Sequence, residues 1–486
     1  MRRLIVLLMI VSSCLITVGC GSSSSSPSVP GPLATELSYF PAGSPFMATL
    51  ATNPHGAAIQ NGEGLLGDFP LAKLGITAIE SRLESAGLSY QSQVEPLFGN
   101  PIAFGALELP TSARLSGSSF LAVWITGSAS KLDALIKASP LSADGTTNGA
   151  TLYRLGPVEL AVDGATILVG SSPATVTAAL DRHAHGGGMN AADYSKAIGN
   201  LPRDALMQAF GSLGDVLSTP SAGSARKIPW VAAIRAYALS LTASSAGVSA
   251  HFTVDTSGAS LTGSELPIAS GTAAPELAGT LPIAIGVRDP VQTIDFTEAV
   301  EQSIDPTKYA KFVRRENAAK RKTGYDLNTF ASLLTGSLII ESDTRTTMGR
   351  AEVSDPASAA RQLAKLPEAV RGLFHPVTGI KRLPGGFYSI LGAGRPYDLG
   401  LVGNEFVAGR ATPAQLKAFA AAPATPAPDA QGAVAFRISL LDLLRIVVKK
   451  TPSPLVQGIL STLGDMTGSA SASTGAVTGD LALALK

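Results

Sequence analysis

The sequence predicts an α+β fold made of two tandem homologous modules, each mainly an antiparallel sheet with packed helices. Two observations predict it. Short strand-like runs are linked by turn residues or by single segments with helical spacing, which favours antiparallel pairing. The same order of strand, cap and helix signals also occurs twice along the 486 residues.

The internal duplication consists of paired segments that occur in the same order in both copies. Each copy has a strand, a helix ending in glycine, a second strand, a capped amphipathic helix and two hairpins. The pairs are 45–50 with 282–287, 87–99 with 324–336, 125–135 with 353–363, 160–164 with 399–403, 209–210 with 435–436 and 237–254 with 466–485. They predict module one over 36–256, a Gly-, Ser-, Ala- and Pro-rich linker over 257–279, and module two over 280–486.

The N-terminus has the layout of a secretory signal. Arg2 and Arg3 precede an apolar run that ends at Val18 and is shorter than the roughly 20 residues of a membrane-spanning helix. The residues Thr17-Val18-Gly19-Cys20 resemble the lipobox of bacterial lipoproteins. This resemblance implies that residues 1–19 are cleaved as a signal peptide and that Cys20 carries diacylglycerol, with acyl chains such as palmitate. The alternative is an ordinary cleaved signal that releases a secreted protein.

The residues after Cys20 are expected to form a lipid-anchored flexible tether over 20–35. Gly21 to Ser26 is almost entirely serine and cannot bury apolar surface, and Pro27, Pro30 and Pro32 stiffen the next stretch of the chain. A lipid at Cys20 would therefore hold a folded body at the extracytoplasmic face of the cell membrane.

Composition excludes several kinds of site. The chain has 37 Lys+Arg and 36 Asp+Glu, so no overall basic field favours nucleic acid. Its two cysteines, Cys14 and Cys20, both belong to the leader, which leaves the body without a disulfide, a thiol nucleophile or a cysteine ligand for zinc. No motif for a cofactor is present, and none is expected.

The first module resembles a known family. The residues that carry the resemblance are Phe40-Pro41-Ala42, Pro45-Phe46, and Ala161 to Leu180 followed by Tyr194 to Phe210. They are similar to a domain-of-unknown-function family (number 3352) of actinobacterial exported and membrane-tethered proteins. The family has no established activity, so the resemblance implies an exported, tethered protein and no catalytic residue.

The segment Asp181-Arg182-His183-Ala184-His185 is the most metal-like cluster in the chain. Two histidines at i and i+2 with a carboxylate nearby are residue types that bind zinc or copper. The cluster is expected in a Gly-rich loop just past a helix end, without an evident further ligand. A solvated loop is the alternative interpretation of Asp181, His183 and His185.

Two short motifs resemble parts of the penicillin-binding and β-lactamase set. Ser128 to Lys131 fits S-x-x-K, and Lys322-Thr323-Gly324 fits K-T-G. No S-D-N lies between them, and Ser128 is interpreted instead as a helix cap.

A basic run precedes Gly324. Its members are Lys308, Lys311, Arg314, Arg315, Lys320, Arg321 and Lys322. They are expected to occupy several faces of a helix. One interpretation is a solvated helix, with Glu316 and Asp326 nearby. The other is a contact with anionic headgroups or wall polymer.

Three functions remain as hypotheses. The first is a non-catalytic, lipid-anchored envelope protein that binds or scaffolds an envelope partner. The second is a carrier of a lipid or other apolar ligand, which the low charged fraction of 15% and the mean hydropathy of +0.26 would suit. The third is an unrecognised hydrolase that brings His183 and His185 to a distant carboxylate.

Overall fold

The structure is a computed structural model that describes residues 31–67, 89–107, 119–138, 141–155, 158–214, 217, 223–270, 274–343, 345–373, 377–392, 395–427, 432–442 and 462–485. These residues fall into two compact units. Among the described residues, the first unit contains those from 31 to 222 together with 234–255, and the second contains 223–233 together with 256–484. The fold is mixed α+β with antiparallel sheets, as the sequence predicts.

The first unit contains ten described strands and five described helices. Its strands are β1 (Phe46–Leu50), β2 (Ile102–Ala106), β3 (Phe120–Ile125), β4 (Ala143–Thr147), β5 (Ala150–Leu155), β6 (Val158–Asp163), β7 (Thr166–Gly170), β8 (Met207–Ser212), β9 (Ala236–Ser244) and β10 (Gly247–Asp255). Its helices are α1 (Gly31–Leu37), α2 (Ala57–Gly67), α3 (Ala129–Ala138), α4 (Pro173–His185) and α5 (Ala191–Ile198). Part of the helix expected over 87–99 forms only a π turn, Tyr90–Val94, and a 3-10 turn, Glu95–Leu97.

The strands of the first unit pair antiparallel in one continuous order. The order is β4, β5, β6, β7, β3, β2, β1, β8, β9 and β10. The hairpin between β6 and β7 turns at Gly164, whose φ of 57° lies in the left-handed region that a tight hairpin requires.

The second unit contains the remaining described elements. Its strands are β11 (Glu276–Leu277), β12 (Ile283–Arg288), β13 (Leu334–Ser342), β14 (Thr347–Val353), β15 (Val377–Arg382), β16 (Tyr388–Gly392), β17 (Tyr397–Val402), β18 (Glu405–Gly409), β19 (Thr425–Pro426), β20 (Val434–Ser439), β21 (Leu463–Ala472) and β22 (Ala476–Leu485). Its helices are α6 (Pro229–Ala233), α7 (Pro290–Ile304), α8 (Pro306–Thr323), α9 (Leu327–Ala331), α10 (Pro356–Leu373) and α11 (Pro413–Ala421).

Strand pairing in the second unit has the same order as in the first. The order is β15, β16, β17, β18, β14, β13, β12, β20, β21 and β22, all antiparallel, while β11 pairs separately with β19. Thus β12 corresponds to β1, β13 to β2, β14 to β3 and β20 to β8.

Both units also bury a carboxylate at the corresponding place. Glu159 in β6 lies opposite Gly170 in β7, and Asp398 in β17 lies opposite Gly409 in β18. Glu159 is 2% exposed and Asp398 is 7% exposed. Each has one buried carboxylate oxygen that no group in the described part of the chain donates to.

The core of the first unit forms between the sheet and its helices. Its fully buried members include Leu37 of α1, Met47 of β1, Leu121 of β3 and Ile198 of α5. Because Leu33 and Leu37 are buried, the folded part includes residues from Gly31 onward, before the predicted tether end at residue 35.

The sheet of the second unit is covered on both faces. Val407 in β18 packs in a cluster with Leu416 and Phe419 of α11. Its neighbours Phe406 and Ala408 belong to a second cluster that contains Leu363, Leu366 and Val370 of α10. Since successive strand residues point to opposite faces, α10 and α11 lie on opposite sides of the sheet.

The segment expected as a linker is partly packed into the second unit. Leu266 and Ile268 are 4% and 5% exposed, and β11 pairs with β19. Among the helices in the described ranges, none combines the length and apolar character needed to cross a membrane.

Candidate functional site

The basic run lies on α8, and local sequence signals define both ends of this helix. Asp305 caps the start, where its carboxylate accepts a hydrogen bond from the Lys308 backbone N–H at 2.9 Å. Pro306 occupies the first turn, where a missing N–H costs nothing. Gly324, with φ of 69°, ends the helix and donates its N–H to the Lys320 carbonyl at 2.8 Å. Lys322-Thr323-Gly324 is therefore a helix end.

The opposite faces of α8 differ in burial. Ala319 is 8% exposed and joins the core cluster that contains Leu363 and Leu366 of α10. Tyr309, Phe312, Val313 and Glu316 are half-buried on the same side. Lys365 of α10 holds the end of α8, since its Nζ donates to the Gly324 carbonyl at 3.0 Å.

Six basic residues share the outward face of α8. At 100° per residue, they fall within one arc of about 140°, and the arc of the buried and half-buried residues begins about 20° beyond Lys308, at Ala319. All six are exposed. We call this set the α8 basic face: Lys308, Lys311, Arg314, Arg315, Arg321 and Lys322. The expectation that the basic run occupies several faces is wrong for these six residues.

Lys320 lies outside the α8 basic face. Its Nζ forms an ion pair with the Asp326 carboxylate at 2.6 Å. Burial acts to raise the pKa of Asp326, but hydrogen bonds from Lys320 and Thr329 outweigh it and hold that pKa below its usual value. Lys320 therefore fastens the end of α8 to the N-terminus of α9, where Asp326 is the cap.

The histidine cluster is not where the sequence placed it. Asp181, His183 and His185 lie in the last turns of α4, not in a loop, because the left-handed residue that ends this helix is Gly186, with φ of 74°. His183 stacks on Tyr39 at a ring-centroid distance of 4.2 Å, and its Nδ1 lies 2.5 Å from Ser38 Oγ. Its contacts are thus with the segment after α1.

The other two members of the cluster have separate partners. Asp181 accepts a hydrogen bond from Asn148 Nδ2 at 2.6 Å, and His185 Nδ1 lies 2.8 Å from the Asp181 carbonyl. Within the described ranges, no group of three or more His, Cys, Asp or Glu is placed to hold a metal ion.

Gly188, three residues after this cluster, has a packing role that the adjacent Gly187 does not share. Gly188 pairs with Pro41 in an isolated β-bridge, and a Cβ built on it would lie 1.8 Å from the Ser38 carbonyl oxygen. A Cβ on the adjacent Gly187 would meet only Arg182 Cγ, at an ordinary 3.6 Å.

We expect Gly188→Ala to destabilise the first unit by about 2–3 kcal/mol, because the Pro41 turn would have to move away. Thermal or denaturant unfolding of the full chain measures this effect, with Gly187→Ala as the matched control. Equal stability of the two variants would contradict the packing role.

A polar pocket of about 610 Å³ lies in the second unit, beside the irregularity in β13. Its charged lining residues are Glu276, Arg288, Asp289, Arg350, Glu352 and Glu405. Burial raises the pKa of Glu405; the positive charge of Arg350 opposes the rise, and the negative charges of Glu352 and Glu276 add to it.

The two cations of this pocket already have partners. Arg350 Nη1 donates to the carbonyls of Phe419, Ala420 and Ala422, and Arg288 donates to the Ser270 carbonyl. Histidine is not among the residues that line this pocket. The mixed charges of the pocket do not favour an apolar cargo, so the pocket does not support the carrier hypothesis. Because no histidine is among the described residues that line it, the pocket does not support the hydrolase hypothesis either.

Cys20 and the predicted signal peptide lie outside the described residues. Ser128 is described, and its Oγ accepts the Lys131 backbone N–H at 3.4 Å, which confirms the predicted cap on α3. The buried charged residues that sequence reasoning missed include Arg350 and the acids Glu36, Glu159 and Asp398. An isolated acid inside an apolar strand, as in Val158-Glu159-Leu160, is the signal that could have indicated Glu159 and Asp398.

Comparison with known proteins gives little. No family model matches the chain, and no curated protein matches it. Among solved structures, crystal forms III and I of TP0453 are similar at a TM-score of 0.27 each, with 11% and 10% sequence identity. Form III covers 47% of this chain and 82% of that chain, and form I covers 49% and 83%.

Proposed function

We propose that the chain is an exported lipoprotein, tethered through Cys20 to the extracytoplasmic face of the cell membrane, that acts by binding or scaffolding. The lipobox-like Thr17-Val18-Gly19-Cys20 supports the tether. The observation that carries the binding role is the α8 basic face, which concentrates six exposed cations on one side of one helix. A chain with 15% charged residues has few charges to concentrate, so this clustering favours an anionic partner.

We further propose that the two units are homologous modules that arose by duplication. The shared strand order supports this, and so does the shared placement of a buried acid opposite a glycine, at Glu159 and at Asp398. An experimental structure in which the ten paired strands of one unit failed to overlay on those of the other would contradict the duplication.

The tether is tested by Cys20→Ser in the full-length chain expressed in an actinobacterial host. Without the thiol no diacylglycerol can attach, so we expect the protein to move from the membrane fraction to the soluble or secreted fraction. Incorporation of an alkyne-labelled fatty acid should be lost in parallel. Both readouts use the same cell lysate.

Cys14→Ser is the matched control, because Cys14 is the other cysteine of the chain and lies inside the predicted signal peptide. It should leave fractionation and fatty-acid labelling unchanged. If Cys20→Ser retains the fatty-acid label, the lipid is attached elsewhere and the proposed tether is wrong.

A further inference from the structure

We propose that the α8 basic face docks on anionic phospholipid headgroups of the membrane to which the chain is tethered. This inference rests on the proposed function for the nearness of the membrane. Its structural basis is independent of Cys20, since it lies in the residues of α8 and in Ile304, which precedes this helix in the chain.

The charges of the α8 basic face are available for a partner. Acidic residues are absent from this face, because Glu316, the one acid of the helix, lies on the side that packs toward α10. Within the described part of the chain, none of the six side chains forms an ion pair. After removal of residues 1–19 the net charge falls from +1 to −1, because Arg2 and Arg3 are lost. The mature chain as a whole would therefore not be attracted to an anionic surface, and any attraction would come from the α8 basic face.

Helix stability does not explain the α8 basic face. Cations in the last turn, such as Arg321 and Lys322, interact favourably with the helix dipole. Lys308 lies in the first turn, where the dipole disfavours positive charge. Lys311 also lies three and four residues from Arg314 and Arg315, spacings at which like charges repel. A partner with negative charge would remove this repulsion.

Two features favour a bilayer over a soluble polyanion. Ile304, at the end of α7, is 38% exposed and lies four residues before Lys308. An exposed apolar side chain that directly precedes a cationic helix in the chain is typical of segments that lie at a lipid headgroup boundary. In addition, the chain from Cys20 to Pro30 spans at most about 40 Å when fully extended. Such a short tether raises the local concentration of the membrane, so that a contact of modest affinity suffices.

The test uses the mature chain, residues 20–486, with Cys20→Ser so that no acyl chain contributes. Binding is measured by co-sedimentation with vesicles of phosphatidylcholine alone or mixed with phosphatidylglycerol. We expect binding to the mixed vesicles only, weakening as salt is added. A triple variant, Lys311→Gln, Arg314→Gln and Lys322→Gln, should lower the partition coefficient about 100-fold, since each basic residue contributes about fivefold.

The matched control removes three exposed lysines of the first unit: Lys131→Gln, Lys137→Gln and Lys196→Gln. It makes the same change in net charge and should leave binding nearly unchanged. Circular dichroism of both triple variants checks that the fold is kept. Three outcomes would overturn the proposal: no binding to anionic vesicles, equal losses in the two triple variants, or binding to soluble polyphosphate with the vesicles ignored. Because Cys20 is absent from every protein in this test, failure of the tether appears only in the fractionation experiment.

Discussion

Arg350→Met is expected to destabilise the second unit by about 3 kcal/mol or more. Arg350 is 5% exposed and lies in β14, beneath the end of α11. Its Nη1 donates to the carbonyls of Phe419, Ala420 and Ala422 at 2.6 to 2.8 Å, and its guanidinium lies 5.2 Å from the Phe419 ring centroid. Methionine fills similar space but donates no hydrogen bond. Each buried carbonyl left without a donor costs about 1–3 kcal/mol.

The two tryptophans of the chain allow each unit to be followed separately. Trp124 lies in β3 of the first unit, and Trp230 lies in α6 of the second. In a Trp124→Phe background, denaturant unfolding monitored by Trp230 fluorescence should show the loss caused by Arg350→Met. Arg382→Met, at an exposed position of β15, is the control and should have little effect. If the two arginine variants unfold at the same denaturant concentration, Arg350 does not hold α11.

The stability of the first unit is expected to fall between about pH 5 and pH 8 because of Glu36. Glu36 is fully buried in α1, and burial raises its pKa from 4.5 to about 8, although a hydrogen bond from the Ile125 backbone N–H acts to lower it. Below pH 4.5 the carboxyl is protonated in both folded and unfolded states. Between the two pKa values the folded state holds one more proton. Each unit of rising pH there costs up to about 1.4 kcal/mol.

Glu36→Gln tests this pH dependence. Glutamine keeps an oxygen for the Ile125 N–H and cannot ionise, so the free energy of unfolding of the variant should change less with pH. The difference from the unsubstituted chain, measured through Trp124 in a Trp230→Phe background, should therefore grow from pH 5 to pH 8. Glu63→Gln, at an exposed position of α2, should leave the slope unchanged. Parallel curves for Glu36→Gln and the parent chain would show that Glu36 keeps an ordinary pKa.

Local features of this fold could be predicted from the sequence, because their signals are local. The hairpins of β6 with β7 and of β17 with β18 turn at Gly164 and Gly403, both at positive φ. The pairing of β1 with β8 could not be predicted in the same way, since it joins residues such as Met47 and Phe210 that lie far apart in the chain. Periodicity indicates which residues face a core but does not name the partner strand.

In the candidate site, too, local features could be predicted from the sequence and long-range contacts could not. The spacing of the six basic residues places them on one side of a helix, so the α8 basic face was within reach of sequence reasoning. The ion pair of Lys320 with Asp326 could not be predicted in this way, because it depends on where α9 places Asp326. The burial of Arg350 and Glu36 depends likewise on how α11 and α1 dock, which no local pattern encodes.

The position of α7 and α8 in the chain has a consequence for how this protein can vary. Both helices lie in the connection between β12 and β13, which are neighbouring antiparallel strands. The closure entropy of a connection between fixed ends rises only with the logarithm of its length, so a segment of different length can join these strands at a small entropic cost, provided that it keeps buried contacts such as those of Ala319. Related chains could thus exchange the helices at this one place and acquire a different surface specificity while the remaining strands keep their register.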